Sequence, residues 1–230
     1  MKKVLLALLL IVSMPAVYAQ AETALINALK AKMEKVKDYK ASGRMVVDVS
    51  FINAPPSAVQ VYYKSPDKFK VVKEGGISIL PRGGMSVNVG SLLLGGNYAT
   101  VPAGTAVVKG ITTKVVKLLP LDEASDVVLT TLYIDEKALL VRKASVTTRE
   151  SGSYEIGMDY GRYAAWGLPD KLLFSFNTGN YKLPKGVTFE YEKGGDKRPT
   201  PPKNSKGTVA ITYSSYDINK GVEDKVFGGK

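Results

Sequence analysis

The chain has 230 residues, no cysteine and no histidine, 45% hydrophobic residues and a formal net charge of +11. Without those two residue types there is no disulfide framework, no Ser-His-Asp or Cys-His nucleophile and none of the usual zinc sites. The length and apolar fraction suffice for one domain held by its core alone, and the positive charge is scattered (Lys68, Lys70, Lys182, Lys185) rather than gathered on a basic helix, which speaks against nucleic acid as a partner.

Residues 1–19, MKKVLLALLLIVSMPAVYA, combine two lysines, an apolar run and small residues at Val17 and Ala19. This predicts an export signal cleaved near Ala19, leaving residues 20–230 as one domain in the periplasm. The apolar run at 4–12 is well short of the ~20 residues that span a bilayer.

A helix is predicted to open at Glu22 or Thr23, with Leu25, Leu29, Met33 and Val36, and Ile26 beside them, on one stripe among lysines. Strand periodicity follows: Met45, Val47, Val49 and Phe51, then Val59, Val61 and Tyr63 after the Pro55-Pro56 break, then Phe69 and Val71 after a tight Ser65-Pro66-Asp67 turn. Residues 75–110 read loosely, with candidate strands at 77–80 and 85–89. The apolar tripeptide Leu92-Leu93-Leu94 between glycines suits either a lid or a greasy turn tucked under a sheet. A β-rich run at 107–119 ends at Pro120.

Four runs then succeed one another at 127–134, 139–148, 154–160 and 172–176. Their connections are too short for a crossover helix, so neighbours pair antiparallel. Tyr154, Ile156, Met158 and Tyr160 alternate with polar or small residues, and Leu172, Phe174 and Phe176 repeat the period, giving one apolar and one wet face. The polar, proline-bearing stretch 193–206 is expected to be a mobile surface loop before a last strand at 207–213. The carboxylate pairs Asp122-Glu123 and Asp135-Glu136 fall in turns, where acids serve as turn formers. No residue pattern supports an enzyme, a metal site or a cofactor.

Several segments carry a family resemblance: Tyr62-Tyr63-Lys64-Ser65-Pro66-Asp67-Lys68-Phe69 as a strand-turn-strand around a proline, the strand at 110–120 ending in a proline, and the hairpin of Leu132-Tyr133-Ile134-Asp135 with Leu140-Val141-Arg142-Lys143. Gly167-Leu168-Pro169 and Tyr216-Asp217-Ile218-Asn219 add to it. The chain thus resembles the LolA/LolB-like periplasmic lipoprotein-carrier superfamily, the outer-membrane lipoprotein-sorting type. The resemblance implies a mainly antiparallel β (α+β) fold, a strongly curved sheet forming an incomplete barrel, covered on its concave side by an N-terminal helix and short helical or loop segments.

It further implies a monomeric carrier whose apolar cavity shields the acyl chains of a lipid or lipoprotein, with membrane-bound donor and acceptor proteins as partners. The expected lining is Met45, Val47, Val49, Phe51, Val59, Val61, Tyr63, Phe69, Leu172, Phe174 and Phe176, with Leu25, Leu29 and Met33 as helical cover. Where the best-known carriers place an arginine before the proline, this chain has Ser65, preceded by Lys64. The alternative is a sensor or protein-binding module on the same fold, its cavity filled by its own side chains.

Overall fold

In a computed structural model of the chain, the structure describes residues 14–49, 55–73, 89–150, 152–177 and 206–228. Helix α1 (Met14–Met33) precedes strands β1 (Asp38–Asp48), β2 (Ser57–Lys64) and β3 (Lys68–Lys73). A short helix α2 (Val89–Leu94) leads into β4 (Tyr98–Val108), β5 (Ile111–Pro120), β6 (Val127–Asp135), β7 (Leu140–Thr148), β8 (Ser153–Asp159), β9 (Lys171–Asn177) and β10 (Lys206–Ile218). Single 3-10 turns lie at Ala164–Trp166 and Asp224–Phe227.

Among the described residues the strands form one ten-stranded sheet in the order β3-β2-β1-β10-β9-β8-β7-β6-β5-β4. Every pairing is antiparallel. The sheet is curved but not closed, so β3 and β4 remain as edges and the shape is that of an incomplete barrel.

Period-two patterning explains why the sheet curls around an apolar interior. Val61 and Tyr63 of β2, Tyr39, Ala41 and Met45 of β1, Val209 and Ile211 of β10, Phe174 of β9, Ile156 of β8, Ala144 and Val146 of β7 and Leu132 of β6 are all buried in one core. Registers such as Met45 with Ile211 and Val209 with Phe174 set these side chains side by side. Leu25, Ile26 and Leu29 of α1 belong to the same core, covering the concave face.

The two edges are protected differently. Lys68 and Lys70 lie on β3, and the Asp224–Phe227 turn is strapped to them: the Asp224 carboxylate accepts from Lys64 Nζ at 3.0 Å and Lys68 Nζ at 2.6 Å, and Lys70 Nζ donates to the Val226 carbonyl at 2.6 Å. On β4, Pro102 and a register shift beside it interrupt the ladder, and Lys30 of α1 sits over the Tyr98 ring, 4.6 Å from its centroid. Prolines, bulges and lysines at edges hinder pairing with a foreign strand.

Several expectations are corrected. The helix starts at Met14, not near Thr23, and runs continuously through Ala19; its described core residues all follow that point. The β-rich run at 107–119 is split: Lys109 and Gly110 have φ of 49° and 80° between the partners Val108 and Ile111, forming the two-residue hairpin turn that needs positive φ at both central positions. Strand β4 was not anticipated beyond its last two residues, Val107 and Val108. The apolar tripeptide belongs to helix α2, and the fully buried Leu93 shows it tucked under the sheet rather than standing off as a lid. The last strand continues beyond 213 to Ile218, and β1 begins at Asp38. The candidate strand at 77–80, all but Val89 of that at 85–89, and the expected surface loop except Lys206 lie outside the described residues, as does Phe51.

A register shift at Ser42/Gly43 lets β10 carry an extra residue opposite β1. There the backbones approach so closely that a Cβ on Gly43 would stand 2.6 Å from the Thr212 carbonyl oxygen. Gly43→Ala is therefore expected to cost about 1–3 kcal/mol through forced backbone displacement. Urea unfolding of the purified variant checks this; an unchanged midpoint would mean the two strands separate there freely.

Candidate functional site

At one end of the incomplete barrel the core does not fill completely, leaving a cavity of 60 Å³. Its wall combines Met33 at the end of α1, Val36, Val89 and Gly90 at the start of α2, and Phe69 of β3. Met158, Tyr160 and Leu172 come from around the β8–β9 connection, and Trp166 to Pro169 close the rim. Tyr39, Tyr63, Tyr213 and Tyr216 complete it. None of these lining residues carries a charge.

The tyrosines form one packed cluster. Tyr39 stacks on Tyr63 with centroids 5.2 Å apart, meets Tyr216 edge-on at 5.3 Å, and Tyr216 in turn lies 5.0 Å from Tyr213 and 4.8 Å from Tyr163. Such offset and edge-to-face pairs add about 0.5–1.5 kcal/mol each beyond burial. The register shift described above brings both Tyr213 and Tyr216 inward although they are three residues apart, Tyr213 opposite Gly43 and Tyr216 opposite Ala41. Their hydroxyls are mostly engaged. Tyr216 donates to the Pro169 carbonyl at 2.8 Å, Tyr160 to Val141 at 2.9 Å, and Tyr63 more loosely to Pro66 at 3.4 Å. Burial pushes the Tyr39, Tyr160, Tyr213 and Tyr216 phenols well up, so all are neutral at physiological pH.

The rim is built by the β8–β9 loop. Gly167, at φ of 71°, ends the 3-10 turn and donates to the Ala164 carbonyl at 3.0 Å, while the Leu168 N–H reaches back to Tyr163 at 3.2 Å. This folds Leu168 into the core and leaves Trp166 at the mouth, 39% exposed.

Of the residues predicted to line a cavity, Tyr63, Phe69, Leu172 and Met33 do so. Leu25, Leu29, Met45, Val49, Val59, Val61, Phe174 and Phe176 are buried in the packed core behind it, and Val47 is partly buried against that core. Lys64 and Ser65 do not reach the cavity: Lys64 is engaged by Asp224, and the Ser65 N–H donates to the Lys37 carbonyl at 2.8 Å, so this turn ties strand β2 to the segment after α1. The reading from sequence missed Tyr39, Tyr213, Tyr216 and Trp166. Tyr39 continues the alternation of β1 backwards through Ala41, which was the available signal; the spacing of Tyr213 and Tyr216 breaks the period and concealed them. Among the described residues no group of three or more His, Cys, Asp or Glu side chains could hold a metal ion.

No family model matches the sequence, and no curated protein matches it. Solved structures do. An outer membrane lipoprotein-sorting protein domain from Vibrio parahaemolyticus superposes with a TM-score of 0.60 at 13% identity, covering 91% of this chain and 97% of that one. A LolA superfamily protein from Nitrosomonas europaea gives 0.55 at 11% identity over 88% and 97% of the two chains. A DUF1329 family protein from Desulfovibrio piger gives 0.51 at 12% over 89% and 96%. With TM-scores above 0.5 over nearly the whole length of each, this chain has the LolA-like fold.

Proposed function

We propose that the protein is an exported, non-enzymatic carrier that holds acyl chains of a lipid or lipoprotein within its incomplete barrel and passes them towards the outer membrane. The observation that carries this reading is the concave face: among the described residues it is apolar from β2 across to β6, is covered by helices rather than a second sheet, and ends in a cavity whose wall bears no charge. Burying an acyl chain there gains about 0.8 kcal/mol per methylene with no catalytic group. The signal-like residues 1–19 support a periplasmic location, and the lipoprotein-sorting description of the Vibrio parahaemolyticus domain supports the cargo class. The present cavity of 60 Å³ is far below the roughly 300 Å³ at which ligand pockets begin, so loading requires α1 and α2 to yield.

Native mass spectrometry with lipid extraction, on protein purified gently from the envelope fraction, tests this. A stoichiometric acyl-bearing species is expected, and it disappears in Met33→Glu, which puts a charge on the cavity wall at a half-buried helix position, while circular dichroism stays that of the folded protein. A folded wild type that is empty and takes up no lipid would sink the carrier.

That outcome would bring forward the protein-binding module. One observation favours it: Val101, Leu119, Leu121 and Val128 are exposed apolar residues on the neighbouring strands and connection of β4 to β6, beside Asp122, Glu123 and Asp126.

A further inference from the structure

The cavity wall carries a hydroxyl that the described residues leave unused. Tyr39 is 6% exposed and lines the cavity, yet its hydroxyl has no hydrogen-bond partner among the described residues, whereas those of Tyr160 and Tyr216 in the same wall are bonded to backbone carbonyls. The oxygen is not among the fully enclosed unpaired atoms, so it faces the open space of the cavity. The hydroxyl is therefore a place where an incoming oxygen atom is gained at little expense elsewhere.

We propose that the Tyr39 hydroxyl donates to the carbonyl oxygen of an uncharged acyl ester or amide, seating that linkage in the tyrosine-lined cavity while the hydrocarbon chain runs along the apolar concave face. This rests on the acyl-carrier reading above and specifies which part of the cargo goes where. The ligand group is uncharged because, among the described residues, no Lys, Arg, Asp or Glu lines the cavity, and an ion there would be stripped of water without a counter-charge. It is an acceptor because burial raises the Tyr39 phenol and keeps its proton in place. It is small: 60 Å³ is several times the ~10–15 Å³ that admits one water, enough for an ester or amide group but not for a chain.

The chain's single tryptophan, Trp166, sits on the cavity rim and reports binding by its fluorescence. The titrations compare monolauroylglycerol, whose ester has the carbonyl, with the dodecyl ether of glycerol, which lacks it. N-lauroylethanolamine tests the amide source and lauric acid the charged carboxylate. Wild type is expected to bind the ester or the amide about 2- to 10-fold tighter than the ether, the worth of one neutral hydrogen bond, and lauric acid more weakly than the ester. Tyr39→Phe, which removes only the unpartnered oxygen, keeps the wild-type Tm or exceeds it, binds the ether as before, and loses the carbonyl preference.

Equal affinity of wild type for ester and ether, or a carbonyl preference that survives in Tyr39→Phe, would overturn the proposal, the hydroxyl then serving only a water molecule. Tight binding of ether and ester alike overturns this assignment and leaves the carrier standing. No binding of any probe, together with an empty protein by mass spectrometry, removes both.

Discussion

Replacing Phe174 by alanine is expected to lower the unfolding free energy by about 3–5 kcal/mol, seen in urea as a shifted midpoint with little change in slope. Phe174 is 0% exposed, lies opposite Ile156 on β8 and Val209 on β10, and has Tyr154 and Phe176 ring centroids at 4.9 and 5.5 Å. Strands bonded on both sides cannot close over the hole, so the full cavity cost remains. Phe176 cannot fill it either, since its ring is seated on Gly207, where a Cβ would come within 2.6 Å of Cζ. Phe174→Leu should lose much less. A shift worth under about 1 kcal/mol for the alanine variant would show that the concave face is not the stabilising core.

The second large effect concerns charge. In the β6–β7 hairpin the Asp135 carboxylate accepts from Arg142 Nη2 at 2.7 Å and Nε at 3.2 Å, and from the Ala138 N–H at 3.1 Å. Lys32 at the end of α1 donates to the Ala138 carbonyl at 2.9 Å, so the same turn anchors the covering helix. The pair is largely enclosed, with side-chain exposures of 19% for Arg142 and 11% for Asp135. Arg142→Met is expected to cost about 1.5–3 kcal/mol, the range for hydrogen bonds to a charged group. The pH dependence gives an independent test. Burial works against ionisation of Asp135, but the hydrogen bonds from Arg142 and Ala138 outweigh it and hold the carboxyl below its usual range. The folded state therefore releases this proton more readily than the unfolded chain. Its contribution is complete above the unfolded carboxylate range near pH ~4 and is lost as pH falls through the lower, folded value. Wild type should lose stability over that acid window by more than Asp135→Asn does; parallel curves for the two would remove Asp135 as a source of acid sensitivity.

The meander was legible because its β-rich runs are separated by turns of a few residues, and β8 and β9 follow from the alternation of Tyr154, Ile156 and Met158 and of Leu172, Phe174 and Phe176 almost residue by residue. Strand β4 was not, because an exposed edge strand containing Pro102 and Gly104 has no apolar face to keep in phase. Its pairing with β5 is carried by the backbone and a two-residue turn. The early half of β1 escaped for a related reason: around Gly43 the strand is specified by its partner β10, far away in sequence, rather than by its own side chains. The cavity suffered most. Period-two reasoning located the packed wall, whereas the open space among the described residues lies at strand ends, on the shifted register and in the Trp166 loop, places that no local period describes.

The position of β10 has a consequence for how the molecule comes into being. Synthesised last, it lies between β1 and β9, and its end is stitched to the chain that precedes β1: the Asn219 side chain accepts from the Lys37 N–H at 2.7 Å and donates to the Lys35 carbonyl at 2.8 Å. A chain emerging N-terminus first can assemble β4 to β9 from neighbouring hairpins, but β1 to β3 must wait with an open edge until the final segment arrives. Two interior edges are thus unpaired until then, and any holding factor that shields strands in this chain would be needed longest at β1 and β9.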